Sequence, residues 1–131
     1  ALTPIDDDRV VEIADGVLRC WTRAGVRLWE SHPPGLNFES LTAARDLDGD
    51  GRVELALMAG RPTAPYGAAV VVDADTGKVR FRHDVEPMSY WWTLQAGRFL
   101  PDTPGEQLVV CEHGYPPDAR FGYIALFDFP N

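Results

Sequence analysis

The sequence predicts an all-β chain built from a repeated antiparallel unit, and three observations carry that prediction. Short apolar runs alternate with turn residues along all 131 positions, among them twelve glycines and eleven prolines. A hairpin with the same punctuation occurs twice: Gly25 and Gly77 stand 52 residues apart, and so do Trp29 and Phe81. Leu41-Thr42-Ala43-Ala44-Arg45 has an echo in Thr93-Leu94-Gln95-Ala96-Gly97, again 52 residues on.

Taken in order, residues 1–8 read as an exposed lead-in ending in Asp6-Asp7-Asp8, the remnant of an acidic loop. Arg9-Val10-Val11-Glu12-Ile13 follows it much as Arg52-Val53-Glu54-Leu55 follows the intact loop further on. Gly16 to Trp21 is a strand, Arg23-Ala24-Gly25 a turn, and Val26 to Glu30 the returning strand of a hairpin. Leu41 to Arg45 and Val53 to Met58 flank the acidic loop, the second alternating apolar residues at 53, 55 and 57. Ala68 to Asp73 and Lys78 to Arg82 then form the second hairpin around Asp75-Thr76-Gly77. The echo at 93–97 leads into Pro101 to Glu106, a turn in the place of the acidic loop without its paired carboxylates. Gln107 to Cys111 and Tyr123 to Phe129 complete the strands.

A period near fifty with about four strands per unit is what β-propeller blades show, at roughly 40 to 50 residues each. With strands labelled A to D from the centre outward, residues 9–31 supply B, C and D, residues 38–84 all four, and residues 90–131 A, B and C. That makes ten strands, or two and a half blades of four-stranded antiparallel sheet. Closed propellers have about four to eight blades, so closure requires copies of the chain itself or the rest of a propeller. Open edges and an exposed inter-blade face favour such association.

The most specific chemistry lies in Asp46-Leu47-Asp48-Gly49-Asp50-Gly51-Arg52-Val53-Glu54. Carboxylates at positions 1, 3, 5 and 9 of a tight loop form a set of hard oxygen donors suited to Ca²⁺. A helix-loop-helix calcium site places its bidentate Glu at position 12, which here is Leu57, and the following residues read as a strand. A strand, a nine-residue aspartate loop and a second strand resemble the calcium loop of FG-GAP repeats in integrin-type propellers. That resemblance implies ligation by the side chains of Asp46, Asp48, Asp50 and Glu54 and by the Arg52 carbonyl, with Glu where the integrin form more often has Asp. Asp73 to Phe81 also resembles the outer hairpin of pyrroloquinoline-quinone-type propeller repeats, in which a final Trp packs blade against blade. Phe81 takes that place here while Trp29 holds it in the earlier copy, which implies architecture rather than the quinone.

Composition excludes several function classes. The formal charge is −8, with eleven arginines and one lysine, Lys78, scattered without a run. Nothing in that distribution would neutralise nucleic-acid phosphates or form a polybasic membrane patch. No apolar stretch approaches the roughly 20 residues that span a bilayer. Cys20 and Cys111 match no metal or haem spacing and read as two buried thiols. The chain opens at Ala1 without a signal segment, as a mature or excised piece would.

Connections at the end opposite the acidic loop are longer and rich in aromatic and basic residues. Tyr66, Tyr90, Trp91, Trp92 and Tyr115 can stack on a carbohydrate ring or a protein ligand, with Arg61, His113 and Arg120 as polar anchors. His32, His83 and His113 form no local metal pattern, no Gly-x-Ser-x-Gly or phosphate loop appears, and Glu112 with Asp118 reads as a solvated acidic pair. The reading that follows is a calcium-stabilised propeller scaffold or binding module of an extracellular or periplasmic protein. The alternative is a fragment of a carbohydrate-active enzyme, such as a lyase similar to the calcium-bearing rhamnogalacturonan type.

Overall fold

The computed structural model describes residues 2–86, 89–114 and 122–128. Eleven strands occur among them: β1 (Leu2–Pro4), β2 (Arg9–Ala14), β3 (Val17–Thr22), β4 (Arg27–Ser31), β5 (Asn37–Arg45), β6 (Glu54–Gly60), β7 (Gly67–Asp73), β8 (Val79–Asp84), β9 (Ser89–Gly97), β10 (Gln107–Gly114) and β11 (Gly122–Asp128). They form three antiparallel sheets whose spatial order follows chain order: β1-β2-β3-β4, β5-β6-β7-β8 and β9-β10-β11. No helix is present among the described residues, and none is long and apolar enough to cross a membrane.

One expectation needs correction at the start of the chain. Residues 2–4 are not a lead-in but a fourth strand, paired with β2 from Leu2 opposite Glu12 to Pro4 opposite Val10. Its three residues are all exposed and too few to establish the alternation that marks a half-buried strand. What fixes it is the turn that follows, where Ile5 N–H donates to the Arg9 carbonyl at 3.0 Å.

The two central strands of the middle sheet, β6 and β7, are buried on both faces, and their alternation sorts the two cores. Leu55, Leu57, Ala59, Ala68, Val70 and Val72 meet Val11, Leu18 and Cys20 of the first sheet. Ala56, Ala69 and Val71 point the other way, onto Leu94, Leu108 and Val110 of the third. This is why β6 and β7 read as nearly continuous apolar runs, as strands covered on both faces do. Each fully buried leucine among them contributes about 1.5–3 kcal/mol.

Large side chains from outer strands lock neighbouring sheets together. Trp29 of β4 lays its ring over Gly77, where a Cβ would lie 2.6 Å from Trp29 Cε3, and its indole N–H donates to the Ala74 carbonyl at 2.8 Å. Gly77 is therefore required twice over, by its φ of 79° and by that contact. Phe81, one repeat later, meets Phe127 of the third sheet with ring centroids 5.2 Å apart. Cys20 is buried and Cys111 half-buried, and both are free thiols; burial pushes the Cys20 thiol up, which makes it unreactive.

Candidate metal centre

The acidic loop joins the last residue of β5, Arg45, to the first of β6, Glu54, which face each other in register. Gly49 and Gly51 take φ values of 82° and 87°, so the chain can fold its amides inward at small cost. Leu47, fully buried, anchors the loop in the core between the second and third sheets. From the third sheet, Glu106 N–H donates to the Leu47 carbonyl at 2.6 Å, and Arg45 makes a two-pronged pair with the Glu106 carboxylate at 2.7 and 2.6 Å.

Inside the loop the carboxylates gather backbone N–H groups. Asp46 Oδ1 accepts from Gly49 at 2.9 Å and Asp50 at 3.2 Å, and its Oδ2 accepts from Gly51 at 2.8 Å. Asp48 Oδ1 accepts from Asp50 at 3.0 Å, and Asp50 Oδ1 from Arg52 at 2.8 Å. Glu54 Oε1 reaches back across the turn to Leu47 N–H at 2.8 Å and Asp48 N–H at 3.1 Å. Ligand atoms of Asp46, Asp48, Asp50 and Glu54 all lie within 4.8 Å of one another.

Electrostatically the cluster is under tension. The Arg52 N–H holds the Asp50 carboxyl below the usual range. Burial pushes Glu54 up to about 7, against the two N–H groups it accepts from, and the charges of Asp48 and Asp50 push the same way. Asp48 is 2% exposed, and its Oδ2 accepts no hydrogen bond. Among the described residues the cation near that oxygen is Arg80, whose Nη1 lies 3.0 Å away without hydrogen-bond alignment and donates to Glu54 Oε2 at 3.4 Å. Four carboxylates converge on a small volume with one partly aligned guanidinium facing the two buried ones. That arrangement could hold a metal ion.

Of the five residues expected at the metal, Asp46, Asp48, Asp50 and Glu54 bring carboxylate oxygens together. Arg52 turns its guanidinium to the exposed side, 3.4 Å from Asp50 Oδ2. Two residues outside the sequence reading prove important. Arg80 comes from the far edge of the sheet. Gln107 is the register counterpart of Glu54, facing Gly97 as Glu54 faces Arg45. Its Oε1 accepts from Phe99 and Leu100, both at 2.9 Å, so the third sheet closes the same turn with a neutral amide.

The opposite end is less convergent. Trp91 is 60% exposed on β9 beside His113 of β10, which is also exposed. Trp92 points the other way, into the second core, against Gly67. Arg61 lies 3.4 Å from Asp84 Oδ1, and Tyr66 is exposed. Tyr90 belongs to β9, its side chain lying outside the described residues, as Tyr115, Asp118 and Arg120 do entirely. Glu112 is not solvated but 1% exposed: it faces the second sheet, accepts Glu86 N–H at 2.6 Å and meets His83 Nε2 at 3.3 Å. Its partners come from another sheet, which the local sequence does not announce. No protein-family model matches this chain, and neither a curated protein nor a solved structure matches it.

Proposed function

We propose that this chain is a calcium-stabilised segment of a β-propeller of the FG-GAP type, acting as a scaffold or binding module in a secreted protein. The observation that carries the metal part is the convergence of Asp46, Asp48, Asp50 and Glu54, with a buried Asp48 oxygen that accepts no hydrogen bond. Those four side chains, with the Arg52 carbonyl, would hold the ion. When bound it supplies positive charge that neutralises the loop and fixes the bend between β5 and β6, so that binding free energy becomes folding free energy. Millimolar extracellular Ca²⁺ fills even a modest site, which is the argument for secretion.

The propeller part is supported by three sheets in chain order, each stacked on the next by its faces, with aromatic residues of the outer strands at the seams. Completion of a ring by further blades or by other copies of the chain is supported by the apolar residues left open on the third sheet, with Ile124 72% and Trp91 60% exposed. Tyr66, exposed in the connection between β6 and β7, offers a stacking surface for a carbohydrate or protein ligand.

The test is thermal unfolding with Ca²⁺ and with chelator. Chelation lowers the melting temperature of the wild type, and Asp48→Ala abolishes the difference. A wild-type curve indifferent to chelator overturns the metal reading. Solution mass measured in the same two conditions tests assembly, since a monomer in both removes ring completion by copies.

A further inference from the structure

We propose that Arg80 is an internal counter-ion of the acidic loop which an incoming divalent cation must displace, so that this one side chain sets how tightly the loop holds metal. The proposal rests on the metal-binding reading above and adds to it a residue far from the loop in sequence.

The backbone aims Arg80 at the site. Along the β7–β8 pair, Val71 faces Phe81 and Val72 faces Val79, which leaves Arg80 without a register partner. Such a bulge re-aims the side chain of the extra residue. The first sheet has the same bulge one repeat earlier: Cys20 faces Trp29 and Trp21 faces Arg27, leaving out Leu28, 52 residues before Arg80. There the bulged residue is an exposed leucine. Of these two bulges the one in the sheet with the acidic loop carries a cation, and that cation reaches the two most buried carboxylates of the cluster, Asp48 and Glu54.

Arg80 is therefore placed to compensate the buried charge when metal is absent, and its contacts fall on the oxygens a metal would use. Asp48 Oδ2, 3.0 Å from Arg80 Nη1, accepts no hydrogen bond, and Glu54 Oε2 accepts only a long one from the same nitrogen. A guanidinium cannot share these oxygens with a small divalent ion without like-charge repulsion. Its side chain is 28% exposed, so it has solvent to move into. The cation must pay for a rearrangement, and its apparent affinity falls by the fraction of molecules in which Arg80 has swung out.

The experiment is calorimetric titration of Ca²⁺ into wild type, Arg80→Gln, Arg80→Lys and, as a control, Arg82→Gln, whose own partner is Asp84. Arg80→Gln is expected to bind about tenfold more tightly than wild type, the effect of removing a competing state favoured about ten to one. Arg80→Lys and Arg82→Gln stay near wild type. In chelator Arg80→Gln melts below wild type, and saturating Ca²⁺ closes the gap. Equal or weaker binding by Arg80→Gln overturns the counter-ion role while leaving the metal site standing. No heat from either protein overturns both. A measurement on the unmodified chain guards against a variant that fails to fold: the Arg80 side-chain Nε–H resonance must shift as Ca²⁺ is added, and an unmoved resonance at saturation overturns the proposal.

Discussion

The turn between β1 and β2 and the turn between β5 and β6 occupy the same place in neighbouring sheets and solve one problem in opposite ways. Each must satisfy backbone N–H groups at a tight bend. In the first, Asp6 Oδ1 accepts from Asp8 at 2.9 Å and Arg9 at 2.8 Å, and the Arg9 guanidinium closes on Asp6 Oδ2 at 2.8 Å. Arg9 also reaches the Ala74 carbonyl and Asp75 of the next sheet, so the turn carries its own cation and uses it twice. In the second, four carboxylates have a partly aligned Arg80 at the two buried acids and an exposed Arg52 at Asp50, which leaves them with an excess of negative charge. The lesson is that this bend needs only acceptors. Charge in excess of that is what singles out the middle sheet as a place for an external cation, and the neutral Gln107 of the third sheet makes the same point.

The sharpest way to break the comparison is to remove the acceptor. Glu54→Ala strands Leu47 and Asp48 N–H groups in a buried bend and is expected to cost about 2–4 kcal/mol in chelator, measured by urea unfolding. Glu54→Gln turns the second bend into the chemistry of the third. Because burial already pushes Glu54 up to about 7, an uncharged side chain sits there at little cost. The expected result is a fold held to within about 1 kcal/mol in chelator, together with loss of the stabilisation by Ca²⁺. A Glu54→Gln protein that still gains stability from Ca²⁺ would show that the other three acids suffice. Gln107→Leu is expected to cost about 1–3 kcal/mol with and without Ca²⁺, since it strands Phe99 and Leu100 N–H groups in a bend closed by a neutral amide. A calcium-dependent penalty at that position would mean that the two bends are coupled through the Glu106 to Leu47 hydrogen bond.

These three bends also show what a one-dimensional reading reaches. The acidic loop was legible because its chemistry is local: donor types, spacing and glycines lie within nine consecutive residues. The hairpins were legible because alternation and turn residues are local too. Three features were not. Leu2 to Pro4 is too short to show a period and all three residues are exposed, so its pairing depends on the turn after it. Glu112 looks like a surface acid until β8 and the segment after it close over it from another sheet. Arg80 lies 26 residues from Glu54 and is aimed by a bulge, and bulges are set by how strands pair rather than by the residue that protrudes.

The smallest expected effect concerns pH at the first turn, where the counter-ion is built in. Hydrogen bonding to the Arg9 side chain holds the Asp6 carboxyl below its ordinary value; burial is the main opposing effect, and the N–H groups of Asp8 and Arg9 and the charge of Arg9 add to the lowering. An acid whose folded value is depressed contributes stability that is fully present above its unfolded value, about 4, and is lost as the pH falls through the folded value. Asp6→Asn keeps an acceptor for the backbone but removes the charge. Its stability should therefore run slightly below wild type from pH 5 to 8, and the two curves should draw together only as the pH falls below the ordinary carboxylate range. The side chain is one-third exposed, so the gap at neutral pH belongs with modest surface pairs of under about 1 kcal/mol. Curves that run parallel down to pH 2 would mean that Arg9 is held by Ala74 and Asp75 alone, and that the first turn is as neutral in effect as the third.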